Sequence, residues 1–274
     1  SGGRCNTSSG YYSTVGGGYG NSAAADGSII SGGQNNTVTG SSKISGISSG
    51  IQNCISNSSC DSIITGGRSN QINSLTGGCS GIIGGQGNIV SSKHSVIGGG
   101  RLNLLEGGGC SIIAGGSTNY INANYGTISG GYNNTASGSY STVIGGINNT
   151  ASGNRSIAGS GSTASGNYSI ALGTANNANC NASVAIGYQA TSNGNYSTVS
   201  GGYGNSVNAN YGTVSGGYNN TASGMYSAIL GGYSNTASGY HSAILAGQGN
   251  STNTCACAMI VGSNIVADRE WDRK

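Results

Sequence analysis

Tyrosine apart, the side chains able to do chemistry are few and scattered. They are two histidines (His94 and His241), six carboxylates (Asp26, Asp61, Glu106, Asp268, Glu270 and Asp272) and eight cysteines. Cleaving a polysaccharide needs paired carboxylates flanking one bond. Between Gly107 and Ala267 there is no carboxylate at all, and Arg155 is the only charged residue. Convergent nucleophile, base and oxyanion donors cannot be assembled from groups so dispersed. Gly98-Gly99-Gly100 and Gly107-Gly108-Gly109 lack the Lys and following helix of a phosphate loop, so they read as turns. Asn stands where a calcium-binding roll carries Asp, the residue whose charge holds the ion. The reading is a protein with no catalytic residues, no metal and no cofactor. His94, beside Lys93, reads as a solvated loop residue, and His241 as a stand-in for a tyrosine.

The cysteines are Cys5, Cys54, Cys60, Cys79, Cys110, Cys180, Cys255 and Cys257. No C-x-x-C pair occurs, which argues against a zinc ribbon. An even number allows disulfides and an oxidising, extracellular setting. The alternative is that several are small buried apolar residues.

The elements that must position these groups follow from composition and period. Of 274 residues, 55 are Gly and none is Pro or Phe. Gly, Ser and Asn make up about half, and only 5% are charged. A net charge of +3 with almost no Lys or Arg along most of the chain gives nothing to neutralise phosphates, which sets nucleic acid aside. No run of eighteen apolar residues exists, and Ser1-Gly2-Gly3 does not open a signal peptide. Membrane insertion is therefore not expected.

The repeat decides the fold. Ser197–Tyr203, Gly212–Tyr218 and Ser227–Tyr233 are copies at a fifteen-residue period. One aliphatic column reads Val15, Ile30, Ile47, Ile64, Ile82, Ile97, Ile113, Ile128, Val143, Ile157, Ala171, Ala185, Val199, Val214, Ile229, Ile244 and Met259, at spacings of 14 to 18. A second reads Val38, Ile72, Ile89, Ile121, Ala136, Ala151, Ala164, Ala178, Ala222 and Ala237. Each unit thus holds two apolar segments too short for helices, and Gly and Asn supply the positive-φ corners between them. The prediction is an all-β parallel β-roll or β-helix solenoid with two short strands per 14–18-residue turn and about seventeen turns. Asn stacked in register is expected to form amide ladders. One aliphatic side chain per strand makes a thin interior, so lengthwise association of several chains is expected. Ile112, Ile144, Leu172, Ile186, Leu230 and Leu245 would then face the neighbours.

Three zones are expected. Residues 1–119 form an irregular, Cys-containing solenoid zone, 120–267 a regular roll of 14–15-residue repeats, and 268–274 a charged tail that could cap the end. The regular zone holds thirteen of the sixteen tyrosines. Tyr196, Tyr211 and Tyr226 recur at fifteen, as do Tyr203, Tyr218 and Tyr233. Stacked like on like they would form corner ladders. These cover turns with the hydroxyl in water, or they present a ligand or partner surface, for a glycan above all. Eleven Asn-x-Ser/Thr sequons also occur, at Asn6, Asn35, Asn57, Asn133, Asn148, Asn154, Asn167, Asn181, Asn195, Asn219 and Asn250, as any Asn/Ser/Thr-rich repeat generates.

Ser169-Ile-Ala-Leu-Gly173 and Ser183-Val-Ala-Ile-Gly187 resemble the SVAIG signature of trimeric autotransporter adhesin heads. Asn134-Thr-Ala-Ser-Gly138, Thr163-Ala-Ser-Gly166 and Asn220-Thr-Ala-Ser-Gly224 resemble its companion segment. The resemblance is strong over about residues 120–264. It implies a left-handed parallel β-roll, a homotrimer, and attachment to a host surface, matrix or glycan receptor. The eight cysteines depart from bacterial heads of this kind, and the Gly-Gly-Tyr repeats and the ending Asn264-Ile-Val-Ala-Asp-Arg269 are similar instead to large-virus and phage fibre proteins. Either resemblance places the chain outside the cell, as an adhesin or fibre on a virion or bacterial surface. Two alternatives stand beside it. One is a purely structural self-assembling filament. The other is an ice-binding solenoid using the column Thr14, Thr127, Thr142, Thr198 and Thr213.

Overall fold

The computed structural model describes residues 2–75 and 77–267. The expected charged tail at 268–274 lies outside the described residues. Contacts divide the chain into two units, residues 1–147 and 148–274. Among the described residues both are all-β, with two short strands per turn and no helix.

In residues 1–147 one parallel sheet begins Thr14–Val15, Ile29–Ile30, Gly46–Ile47 and ends Thr127–Ile128, Thr142–Val143. We call it sheet 1. The other, sheet 2, begins Thr7–Ser8, Ser22–Ala23, Thr37–Val38 and ends Tyr120–Ile121, Thr135–Ala136. Residues 148–274 repeat the arrangement. There sheet 1 runs from Ile157–Gly159 to Met259–Val261, and sheet 2 from Thr150–Ala151 to Thr236–Ala237. Strands pair in register with the equivalent strand of the next turn, so like residues lie over like, with one shift after Ile244 where Ala243–Ala246 meets Met259–Val261. The longest strands, Ile170–Thr174 and Val184–Tyr188, are those carrying the two closest matches to the adhesin signature.

The alternation within each two-residue strand is outward then inward, because successive side chains point to opposite faces. Sheet 1 buries the predicted column from Val15 to Val143, and from Ala171 to Ile244. Two members are corrected. The buried residues are Ala158 and Ile260, and not Ile157 and Met259, which face outward in register with Ile170 and Ala243. The interior spacing therefore includes one step of thirteen (158 to 171), and its last step (244 to 260) is sixteen, like that from 97 to 113. In sheet 2, Val90 is buried in place of Ile89. The row also takes in Ala23, Ile55, Leu105, Ser192, Val207 and Thr252.

Two buried polar rows complete the interior. One is asparagine: Asn21, Asn36, Asn53, Asn70, Asn88, Asn103, Asn119 and Asn134 in the first unit, and Asn149, Asn176, Asn205, Asn220, Asn235 and Asn250 in the second. Asn220 shows the pattern. Its Nδ2 donates to the carbonyl of Gly216, four residues back, at 3.1 Å, and to Gly232 of the next turn at 3.0 Å. Its Oδ1 accepts the Asn235 backbone N–H at 3.0 Å. Burying an amide without partners is costly, and here each rung satisfies it while closing the corner. The second row is serine, including Ser28, Ser45, Ser62, Ser183, Ser197 and Ser242. The Ser183 and Ser197 hydroxyls donate to Cys180 and Gly194, three residues back.

The Asn corner explains the Gly-Gly step. Gly217 has φ of 93°, and a Cβ there would collide with the Gly232 carbonyl oxygen. Only glycine lets the two turns approach so closely.

Candidate functional site

The two predicted tyrosine columns form ladders in residues 148–274. Tyr196, Tyr211 and Tyr226 follow the sheet 2 strands. Their rings stack at centroid distances of 5.3 and 4.8 Å, nearly parallel. His241 continues this row, 4.7 Å from Tyr226, as expected of a tyrosine replacement, and Tyr240 meets both edge-on. Tyr203, Tyr218 and Tyr233 follow the sheet 1 strands and stack at 4.9 and 5.1 Å, with Tyr188 added at 4.9 Å below Tyr203. The six sequence-derived residues thus lie in two ladders on the two kinds of turn, one after each sheet. In residues 1–147 one such pair occurs among the described residues, Tyr125 on Tyr140 at 4.6 Å.

The ladder after sheet 2 has an unusual backbone. Tyr168, Tyr196, Tyr211 and Tyr226 all have φ between 57° and 60°. Left-handed backbone costs a bulky residue roughly 1–2 kcal/mol. Each is held by a hydrogen bond to the turn before, such as Tyr211 N–H to the Asn195 carbonyl at 2.9 Å, and Tyr196, Tyr211 and Tyr226 add ring stacking, about 0.5–1.5 kcal/mol per pair.

The outer faces of the two sheets differ. On sheet 1, Ile112 and Ile144 of the first unit are exposed, as are Ile186, Leu230 and Leu245 of the second, while Leu172 is half-buried. These are the residues predicted to meet neighbouring chains. Ile29 and Ile63 flank Gly46 and line a shallow groove there. On sheet 2 of the second unit the outward residues are Thr150, Thr163, Asn177, Thr191, Ser206, Thr221, Thr236 and Ser251. Beside them an amide chain runs from Asn179 to Asn193 (2.7 Å) and from Asn193 to Asn208 (3.1 Å). Sequence reasoning missed this polar lattice, although threonine every fifteen residues before the alanine column would have revealed it.

No disulfide joins any of the eight cysteines, which corrects the disulfide reading. The Cys60, Cys180 and Cys255 thiols instead donate to the carbonyls of Ser41, Asn193 and Ala267 on adjoining turns. Cys5, Cys110 and Cys257 occupy left-handed corners. Burial pushes the Cys54 thiol pKa up, partly opposed by a hydrogen bond with Ser56. Burial, then Glu106, raises that of Tyr120, whose hydroxyl donates to the Glu106 carboxylate at 2.9 Å. Among the described residues no three His, Cys, Asp or Glu side chains converge as metal ligands. The Asn57–Gly108 hollow holds one carboxylate, Glu106, and the Gly27–Ile63 hollow holds Asp61.

The architecture is that of a repeat solenoid whose turns contact their neighbours along an axis. Residues 127–146, 159–176 and 181–203 match the family model of the YadA head domain repeat, in two copies. The chain carries YadA-type head repeats set in a parallel β-solenoid. No curated protein matches it.

Proposed function

We propose that this protein is a non-enzymatic attachment element of an extracellular fibre or adhesin, on a virion or bacterial surface, and that it works as a homotrimer. The observation that carries this reading is the two-faced coil bearing head-type repeats. Sheet 1 leaves Ile144, Ile186, Leu230 and Leu245 in water, while sheet 2 presents hydroxyls and amides. Rows of exposed aliphatics on a soluble surface call for a cover. Further copies of the same chain supply matching rows. The polar faces and tyrosine corners then stay outward, where a host receptor, matrix component or glycan would be met.

Two measurements test it. Light scattering should give three times the 26.6 kDa chain mass, and Leu230→Glu should shift that mass downward. Purified protein should adhere to host cells or matrix. A monomer, or a trimer that adheres to nothing, would end this reading. The ice-binding column Thr14, Thr127, Thr142, Thr198 and Thr213 lies on sheet 1, where outward Ile29 and Ile112 interrupt it; a freezing point without thermal hysteresis removes that reading.

A further inference from the structure

One position breaks the aromatic row that follows sheet 2. In residues 148–274 the row runs Arg155, Tyr168, Ala182, Tyr196, Tyr211, Tyr226 and His241. The backbone N–H groups of Tyr168, Ala182 and Tyr196 bond to the carbonyls of Asn154, Asn167 and Asn181, so the three are successive rungs. Ala182 has φ of 50°, against 59° for Tyr168 and 57° for Tyr196. The backbone rung is intact and only the ring is missing.

The gap is bounded on both sides. The Arg155 guanidinium packs over Tyr168, 5.4 Å from the ring centroid, and donates to its hydroxyl. Tyr211 covers one face of Tyr196. The remaining faces of Tyr168 and Tyr196 look across the missing rung. Between them lies a slot of about 480 Å³ lined by Asn167, Tyr168, Asn181, Ala182 and Tyr196. Two ladder steps span about 9.6 Å, so one ring set midway has about 4.8 Å on each side. That matches the 4.7–5.3 Å separations of the filled rungs.

The lining sets the ligand's chemistry. It contains no charged side chain. The Asn181 side chain makes no hydrogen bond with a described residue. Asn167 Oδ1 accepts the Asn154 N–H, while its Nδ2 has no partner among the described residues. We propose that this slot binds one neutral pyranose ring, its C–H faces against Tyr168 and Tyr196 and its hydroxyls on the Asn167 and Asn181 amides. An aromatic peptide side chain would use the two rings but leave both amides idle. This deepens the attachment reading and rests on it, by naming a ligand class for one of its surfaces.

Saturation-transfer NMR tests the proposal. The full chain is produced without N-glycosylation, because Asn167 and Asn181 both head sequons. The probes are methyl glucoside, methyl galactoside, methyl N-acetylglucosaminide and p-cresol. At least one pyranoside should receive saturation at its ring protons. Ala182→Tyr should abolish that signal, since it restores a rung that neighbouring tyrosines already occupy with the same backbone. Tyr196→Leu should weaken binding about tenfold. Silence from every pyranoside, transfer that survives Ala182→Tyr, or transfer to p-cresol alone would each overturn the proposal. If the wild-type chain still adheres to cells in those cases, the slot falls and the attachment reading stands.

Discussion

In residues 1–147 the buried row of sheet 2 holds Ile55, Ile72, Val90, Leu105 and Ile121 between Ala23 and Val38 at one end and Ala136 at the other; in residues 148–274 it holds Ala151, Ala164, Ala178, Ser192, Val207, Ala222, Ala237 and Thr252. The second unit has the thinner interior and the more continuous aromatic corners, with Tyr188–Tyr233 and Tyr196–His241 stacked turn upon turn. The buried asparagine row is common to both. Cohesion between turns therefore has a shared polar part and a variable apolar part. The variable part sits inside the coil in one unit and is shifted toward its rim in the other.

The shared part should give the largest effect. Asn220→Ala removes the amide bonds to the Gly216 and Gly232 carbonyls, at about 0.5–1.5 kcal/mol each, and leaves the buried Asn235 N–H without its acceptor, at about 1–3 kcal/mol, while the Gly232 carbonyl keeps its bond from the Tyr218 N–H. Asn70→Ala does the same to Gly66, Gly85 and Asn88. Both should lower the denaturant midpoint comparably; an effect in one unit alone would break the claim that the row is common currency.

Next comes the interior. Ile72→Ala removes a fully buried side chain and should cost about 2–5 kcal/mol. Ala222→Ile overfills the corresponding row of the second unit and should cost about 1–3 kcal/mol. A stabilising Ala222→Ile would mean that the second unit's interior has room to spare.

The rim comes third. Tyr211→Ala strips stacking from Tyr196 and Tyr226 and should cost about 1–2 kcal/mol. Tyr12, left-handed and almost fully exposed in the first unit, should tolerate Tyr12→Ala within about 0.5 kcal/mol. Equal losses would dissolve the distinction between filled and solitary corners.

The smallest effect concerns one phenol. The raised Tyr120 pKa favours the neutral form in the fold. Its contribution to stability is thus complete below the unfolded tyrosine value, about 10, and lost as pH rises through the folded one. Glu106→Gln should move the folded value back toward the ordinary one, read by phenolate absorbance. No movement would leave burial as the sole cause.

Most of the coil was legible because period fixes face. Aliphatics such as Ile128, Val199 and Val214 are the sole bulky apolar members of their segments, and their spacing placed them inward. Where two apolar residues adjoin, as in Ile157-Ala158, Ile89-Val90 and Met259-Ile260, spacing alone does not choose, and a one-residue slip inverts the face. Ser192 and Thr252 were invisible to a search for aliphatics. The asparagine row could be foreseen as a ladder but not as interior, since Asn is usually exposed. Its clue is the fixed offset in Gly-Gly-x-x-Asn, seen at Gly216 and Asn220. The empty rung at Ala182 was unread because it is a missing ring in a row, noticed only once the other rungs are in place.

In-register pairing of each strand with the next turn also sets how either unit should yield to force. A turn such as 213–227 is tied to its two neighbours through short parallel bonds and one amide clamp. Pulled from an end, such a stack peels one loop at a time, each releasing about fifteen residues, or roughly 50 Å of chain. Extension should therefore follow a saw-tooth of small, nearly even steps, so that the stack dissipates load by shedding single loops.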